Sequence, residues 1–207
     1  MITDLRDGEV LALRTCATNG AAHGGFLWPL VVGAEVTAPD WSSTATCGYG
    51  LHGLLRGVGD GSLLDWSADA KWLVVAVAAS ECVDLGGKVK FPRCRIVHVG
   101  DRFTASALLR EHYPDAAITA GTAMAGYGGT ATAGYLGTAT AGNRGIATAG
   151  YGGTATAGDL GTVIVKLWDD EATRYRLIVG YVGEGGIEAN VAYRVEGGKL
   201  VRAEVTK

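Results

Sequence analysis

Proline, surplus charge of one sign and long apolar runs are all scarce, and each scarcity removes a class of protein. Only four prolines occur in 207 residues and glycine follows no three-residue period, so a collagen is excluded. Lysine and arginine number 18 against 21 acidic residues, net −3, without the basic excess that grips nucleic acid or an anionic membrane. The longest apolar run, Trp72–Ala79, is eight residues and cannot cross a bilayer. Met1–Asp7 offers neither the basic start nor the apolar core of a secretory leader. The cysteines are only four (Cys16, Cys47, Cys82, Cys94), lack any CxxC spacing and read as reduced thiols. Disorder is excluded as well, because 48% of residues are hydrophobic and 19% charged. A cytoplasmic protein without a membrane or nucleic-acid partner is expected.

What the chain has in excess is glycine: 33 residues, about twice the average share of roughly 7%. From Gly121 the sequence falls into octads: GTAMAGYG, GTATAGYL, GTATAGNR, GIATAGYG, GTATAGDL and GTVIVKLW, starting at Gly121, Gly129, Gly137, Gly145, Gly153 and Gly161. These 48 residues hold 13 glycines, 10 alanines and 9 threonines. The T-A-T-A core alternates with the period of a strand, and glycines at positions 1 and 6 are expected to turn the corners. One octad cannot bury its own face, whereas stacked octads can. The predicted form is a short β-solenoid with alanine inward and threonine outward; Met124 and Ile146 at threonine positions leave part of that row open to being covered. Two octads per coil give 16 residues, three give 24. The YG pair recurs after 24, while Tyr135 and Tyr151 are 16 apart and would stack in the shorter coil, the preferred form.

The stretches Ala125–Thr130 and Thr130–Gly134 resemble the octads of bacterial ice-nucleation proteins, which carry AGYGST and TxTAG elements. The match covers about a quarter of the chain. It implies that TxT rows order water. Strands lie about 4.8 Å apart, so three coils make a rod of only ~14 Å. A weak ice-binding face fits that size, and a nucleator does not. The full layout is also similar to a group of phage and prophage proteins with an N-terminal domain, octads and a β-rich tail; their N-terminal domains contain segments like Gly50–Gly53 and Val83–Pro92. That resemblance implies the fold layout and a phage origin but no activity. The expected function is that of a non-enzymatic protein of the host cytoplasm that engages a host macromolecule; inhibition of a host defence system, one form of it, is what the resemblance alone implies.

Outside the octads the residues read as follows. Gly8–Thr15, Trp72–Val77 and Lys88–Val99 read as strands, the last with Pro92 at an edge or bulge. Asp101 caps a helix to His112, with Phe103, Ala107 and Leu108 toward the core and Pro114 as its stop. Thr173–Val182 reads as a strand and Ala192–Val205 as a hairpin across Gly197–Gly198. The expected architecture is mainly β: an α+β N-terminal domain over 1–115 ending in a capping helix, the octad solenoid over 116–168, and a C-terminal β cap over 169–207 that could present a homodimer surface.

Candidate sites follow from residue type. Tyr127, Tyr135 and Tyr151 at octad corners, with Thr130, Thr132, Thr138 and Thr140, are expected to meet a protein partner; corner aromatics that merely stack on each other are the alternative. Cys16, His23, Cys47 and His52 carry zinc-ligand chemistry but no standard finger spacing, and no metal is assigned. Arg14–Thr15 followed by Gly50-Leu51-His52-Gly53 resembles ADP-ribosyltransferase-like folds, which implies nucleotide binding through Arg14 and His52. No catalytic glutamate can be placed, since Glu81 and Glu111 lie in unsuitable contexts. Gly57–Gly61 is glycine-rich, yet Asp60 would repel a phosphate and a plain loop is expected. No catalytic residue and no cofactor are assigned.

Overall fold

The computed structural model describes residues 5–203. Met1–Asp4, part of the leader reading, and Glu204–Lys207, the end of the hairpin reading, lie outside the described residues. The chain divides into two units, Met1–Pro114 and Asp115–Lys207. Both are mainly β, and the described residues contain one α-helix.

The first unit is a seven-stranded sheet. Its strands are β1 (Glu9–Cys16), β2 (Glu35–Thr37), β3 (Leu51–Leu55), β4 (Lys71–Ala78), β5 (Val83–Asp84), β6 (Val89–Phe91) and β7 (Arg93–Gly100). They are ordered β2-β7-β4-β1-β3-β6-β5, and the pairs are antiparallel. Strand alternation buries Ala12, Leu51, Leu73, Val75, Phe91 and Ile96 in one core with Trp28. Where Lys88–Val99 was expected to be one strand, the chain breaks at Pro92, which has no N–H for a ladder. Phe91 therefore ends β6, and β7 begins at Arg93.

Helix α1 (Arg102–His112) starts at a full capping box. The Asp101 carboxylate accepts from the Phe103 and Thr104 N–H groups, and the Thr104 hydroxyl accepts from the Asp101 N–H. Its buried face differs from the expected one: Ala105, Ser106 and Leu109 are buried, Phe103 and Ala107 are exposed and Leu108 is half-buried. The i, i+4 row from Ala105 to Leu109 meets β4 and β7, and Phe103 instead lies against the Arg102 guanidinium.

The second unit contains β8 (Thr122–Ala125), β9 (Thr130–Thr132), β10 (Thr138–Ala141), β11 (Ile146–Ala149), β12 (Thr154–Ala157) and β13 (Thr162–Asp169), followed by β14 (Arg174–Tyr181), β15 (Ala192–Glu196) and β16 (Lys199–Arg202). Alternate octads enter alternate sheets. Strands β8, β10 and β12 pair in parallel, as do β9, β11 and β13. Thr138 stands between Thr122 and Thr154, and Ile146 between Thr130 and Thr162. The return is thus 16 residues, the shorter of the two expected coils. Antiparallel strands then extend both sheets: β14 pairs with β13, and β15 with β12. Alanines 123, 131, 139, 147 and 155 and Val163 form the thin core, closed by Val182 and Tyr193.

The glycines do a different job from the expected one. Positions 1 and 6 keep ordinary backbone angles; what they lack, Gly126 excepted, is room. A Cβ at Gly150 would lie 2.5 Å from the Gly134 carbonyl, and one at Gly137 would lie 2.8 Å from Ala133 Cβ and the Gly121 carbonyl oxygen. The left-handed corner residue is position 8: Gly128 and Gly152, but also Leu136, Arg144 and Leu160 at φ of 50° to 57°. Coil-to-coil spacing fixes the first set, and chain reversal fixes the second.

Candidate functional site

The octad places two side chains per strand on the outside, and the 16-residue return lines them into rows. On the face of β8, β10 and β12 the rows are Thr122–Thr138–Thr154 and Met124–Thr140–Thr156. Five of these six positions are threonine. In-register parallel pairing sets the rows on a grid, about 4.8 Å between strands and about 6.6 Å along each strand. At the β15 side this face ends in charge, where Arg194 pairs with Glu196 at 2.6 Å.

On the opposite face the rows are Thr130–Ile146–Thr162 and Thr132–Thr148–Ile164. The sheet then continues into β14. Tyr181 stands opposite Thr162, Val179 opposite Ile164, Leu177 opposite Lys166 and Tyr175 opposite Trp168, and directly opposed residues share a face. All four β14 side chains are exposed. The expected site threonines are therefore split, with Thr138 and Thr140 on one face and Thr130 and Thr132 on the other. Strand alternation of Thr173–Val182 was readable, but its outward apolar side was not, because a lone amphipathic strand does not say which side meets the core.

The tyrosines divide likewise. Tyr135 and Tyr151 stack, with centroids 5.8 Å apart and planes 28° apart. Tyr175 continues the run at 6.4 Å from Tyr151 and packs edge-on against Trp168 at 5.0 Å. Tyr127 belongs to the other corner row, with Asn143 and Asp159, and lies under the Arg144 guanidinium at 5.9 Å. In that row the Asn143 side-chain carbonyl accepts from the Asp159 N–H one return later, at 3.1 Å.

In the first unit Arg14 and His52 do come together. Arg14 donates to the His52 carbonyl at 3.3 Å and lies 4.1 Å from the Trp28 ring centre. Burial brings the Arg14 pKa down to about 10. Burial, then the charges of Lys88, Arg14 and Lys90, hold His52 neutral with a pKa of about 4. The contact uses the His52 backbone carbonyl rather than its ring. Glu81 is held by Arg93 at 2.7 Å. A groove of about 340 Å³ is lined by Leu55, Val58, Cys82, Asp84, Lys88 and Val89, without Arg14 or His52.

The zinc-type residues do not assemble: among the described residues no three His, Cys, Asp or Glu side chains gather to hold a metal. Cys16 is core, while Cys47 is exposed, with Lys88 Nζ 3.1 Å from its sulfur lowering its pKa. At Gly57–Gly61 the structure has a loop leading into a short 3-10 turn, where Asp60 accepts from the Ser62 N–H and hydroxyl.

No protein-family model matches the chain, and no solved structure matches it. Sequence relatives do. The chain is 42% identical over 118 residues to an ice nucleation protein of Pseudomonas syringae pv. syringae, covering 56% of this chain and 10% of the relative. It is 40% identical over 113 residues to ice nucleation protein InaU of Pantoea ananas, covering 54% and 11%. An ice nucleation protein of Xanthomonas campestris pv. translucens is 40% identical over 108 residues, covering 51% and 7%. The chain thus spans about a tenth of the length of these relatives, its repeats resemble ice-nucleation repeats, and the likeness covers about half of the chain rather than the quarter expected from the octad elements. They bear on the water-ordering expectation; the expected phage-derived inhibitor of a host defence draws nothing from them.

Proposed function

We propose that the octads form a short β-solenoid whose β8–β10–β12 face orders water and binds ice. The carrying observation is the grid of Thr122, Thr138, Thr154, Thr140 and Thr156 on in-register parallel strands. Each threonine supplies a methyl, which water cannot bond, beside a hydroxyl, which it can. Repeated at fixed spacing on a β-branched, stiff surface, the set holds first-layer water in a lattice rather than a disordered shell. Similarity to proteins named for nucleating ice supports the reading.

Size separates this protein from those relatives. Three strands per face span only ~14 Å along the stack, so the face attaches to existing ice and is too small to start a crystal. Ice-affinity partitioning tests the first half: the protein is expected in the ice fraction, and recovery in the liquid alone refutes the proposal. Droplet freezing tests the second half: the freezing temperature is expected to match buffer.

A further inference from the structure

The exposed β14 strand carries an inference independent of ice. In its sequence, Tyr175-Arg176-Leu177-Ile178-Val179-Gly180-Tyr181, the outward residues Tyr175, Leu177, Val179 and Tyr181 are palindromic by residue class about Ile178. A two-fold axis through Ile178 would set Tyr175 opposite Tyr181 of a second copy and Leu177 opposite Val179. It would put Arg176 opposite Gly180, so that no like charges meet. An isologous contact needs this reciprocity, in which residue i meets j and j meets i.

The main chain agrees. Strand β14 stands at the end of its sheet. The Val182 N–H bonds inward to the Gly161 carbonyl, so by alternation Tyr175, Leu177 and Val179 direct both N–H and C=O groups to the open edge, and Tyr181 its N–H, while the Tyr181 carbonyl accepts from the Glu184 N–H in the turn that follows. Of the usual protections the edge lacks proline, lysine and a bulge against β13, and its charge is confined to Arg174 and to Arg176, which Asp169 holds.

The side chains agree as well. Tyr175, Leu177, Val179 and Tyr181 are 42–56% exposed, and Trp168 and Ile146 on the same face are 37% and 40% exposed. Edge-to-edge pairing sets Leu177 against Val179 and Tyr175 against Tyr181 across the seam, so cross-strand side-chain pairs add to the main-chain bonds. We infer that this protein forms a two-fold dimer through antiparallel β14–β14 pairing centred on Ile178, joining two four-stranded sheets into one of eight.

Sedimentation across a concentration series is expected to give a dimer, and Val179→Lys, which sets two lysines near the axis, a monomer with unchanged circular dichroism. Should Val179→Lys fail to fold, Ile178→Cys in a Cys47→Ser background decides. The axis places Ile178 opposite itself at a Cα separation of about 4.5 Å, within disulfide reach, so oxidation is expected to yield a linked dimer. A wild-type monomer at every concentration, a dimer that survives Val179→Lys, or a dimer that Ile178→Cys leaves unlinked overturns the inference.

Discussion

The same octad builds both outer faces of the second unit, yet the two faces differ in chemistry. On β8, β10 and β12, five of six outward positions are threonine, and the sheet is extended by β15, which brings the Arg194–Glu196 pair. On β9, β11 and β13, isoleucine takes two of six positions, and the sheet is extended by β14, which brings two tyrosines, a leucine and a valine. A repeat fixes backbone spacing and an alanine interior; it leaves the outward residues free to diverge. One set of six hydroxyl-or-methyl positions can face water while its counterpart becomes a sticky edge, with no change to the core.

That contrast between a constrained interior and a permissive exterior can be broken in steps of falling size. The largest effect is expected inside. Ala147 is fully buried between the sheets, and Ala147→Leu inserts three heavy atoms where the coils already touch. A loss of about 3 kcal/mol is expected, read as a lower midpoint in denaturant unfolding, while Thr148→Leu one residue away, outside, stays within about 0.5 kcal/mol. Gly150→Ala should come next, at about 2 kcal/mol, because its Cβ would sit 2.5 Å from backbone atoms of Gly134 that cannot move without opening the stack. A wild-type midpoint for Gly150→Ala would refute close approach as the reason for that glycine. The smallest effect has the opposite sign. Leu160 is exposed and holds φ at 55°, so Leu160→Gly relieves a left-handed penalty and is expected to stabilise by about 0.5–1 kcal/mol in the same unfolding experiment.

Much of this unit was legible beforehand because a repeat reports itself. The strand period, the inward alanines and the octad frame follow from T-A-T-A between glycines, and the 16-residue spacing of Tyr135 and Tyr151 favoured the return that the structure has. The role of the glycines was not legible. Glycine at positions 1 and 6 looks like corner geometry, and only the folded chain separates steric room from a left-handed φ, which falls at Leu136, Arg144 and Leu160 as readily as at Gly128 and Gly152. In the first unit, local signals worked where chemistry is local, as at the Asp101 cap, and failed where the answer is tertiary. Phe103 looked like core and is exposed, and nothing local announces that Arg14 donates to the His52 backbone carbonyl. The four zinc-type residues resembled a site by composition alone; strand direction sends Cys16 into the core and leaves Cys47 on an exposed loop.

The most direct test of the account is a paired substitution on the two faces, measured by ice-affinity partitioning. Thr140→Lys with Thr156→Lys alters the β10–β12 face, and Thr132→Lys with Thr148→Lys makes the same chemical change on the β9–β11 face. Loss from the ice fraction in the first variant and wild-type recovery in the second is the expected result. Equal recovery of both, or loss only in the second, would contradict a water-ordering surface on the threonine-rich face.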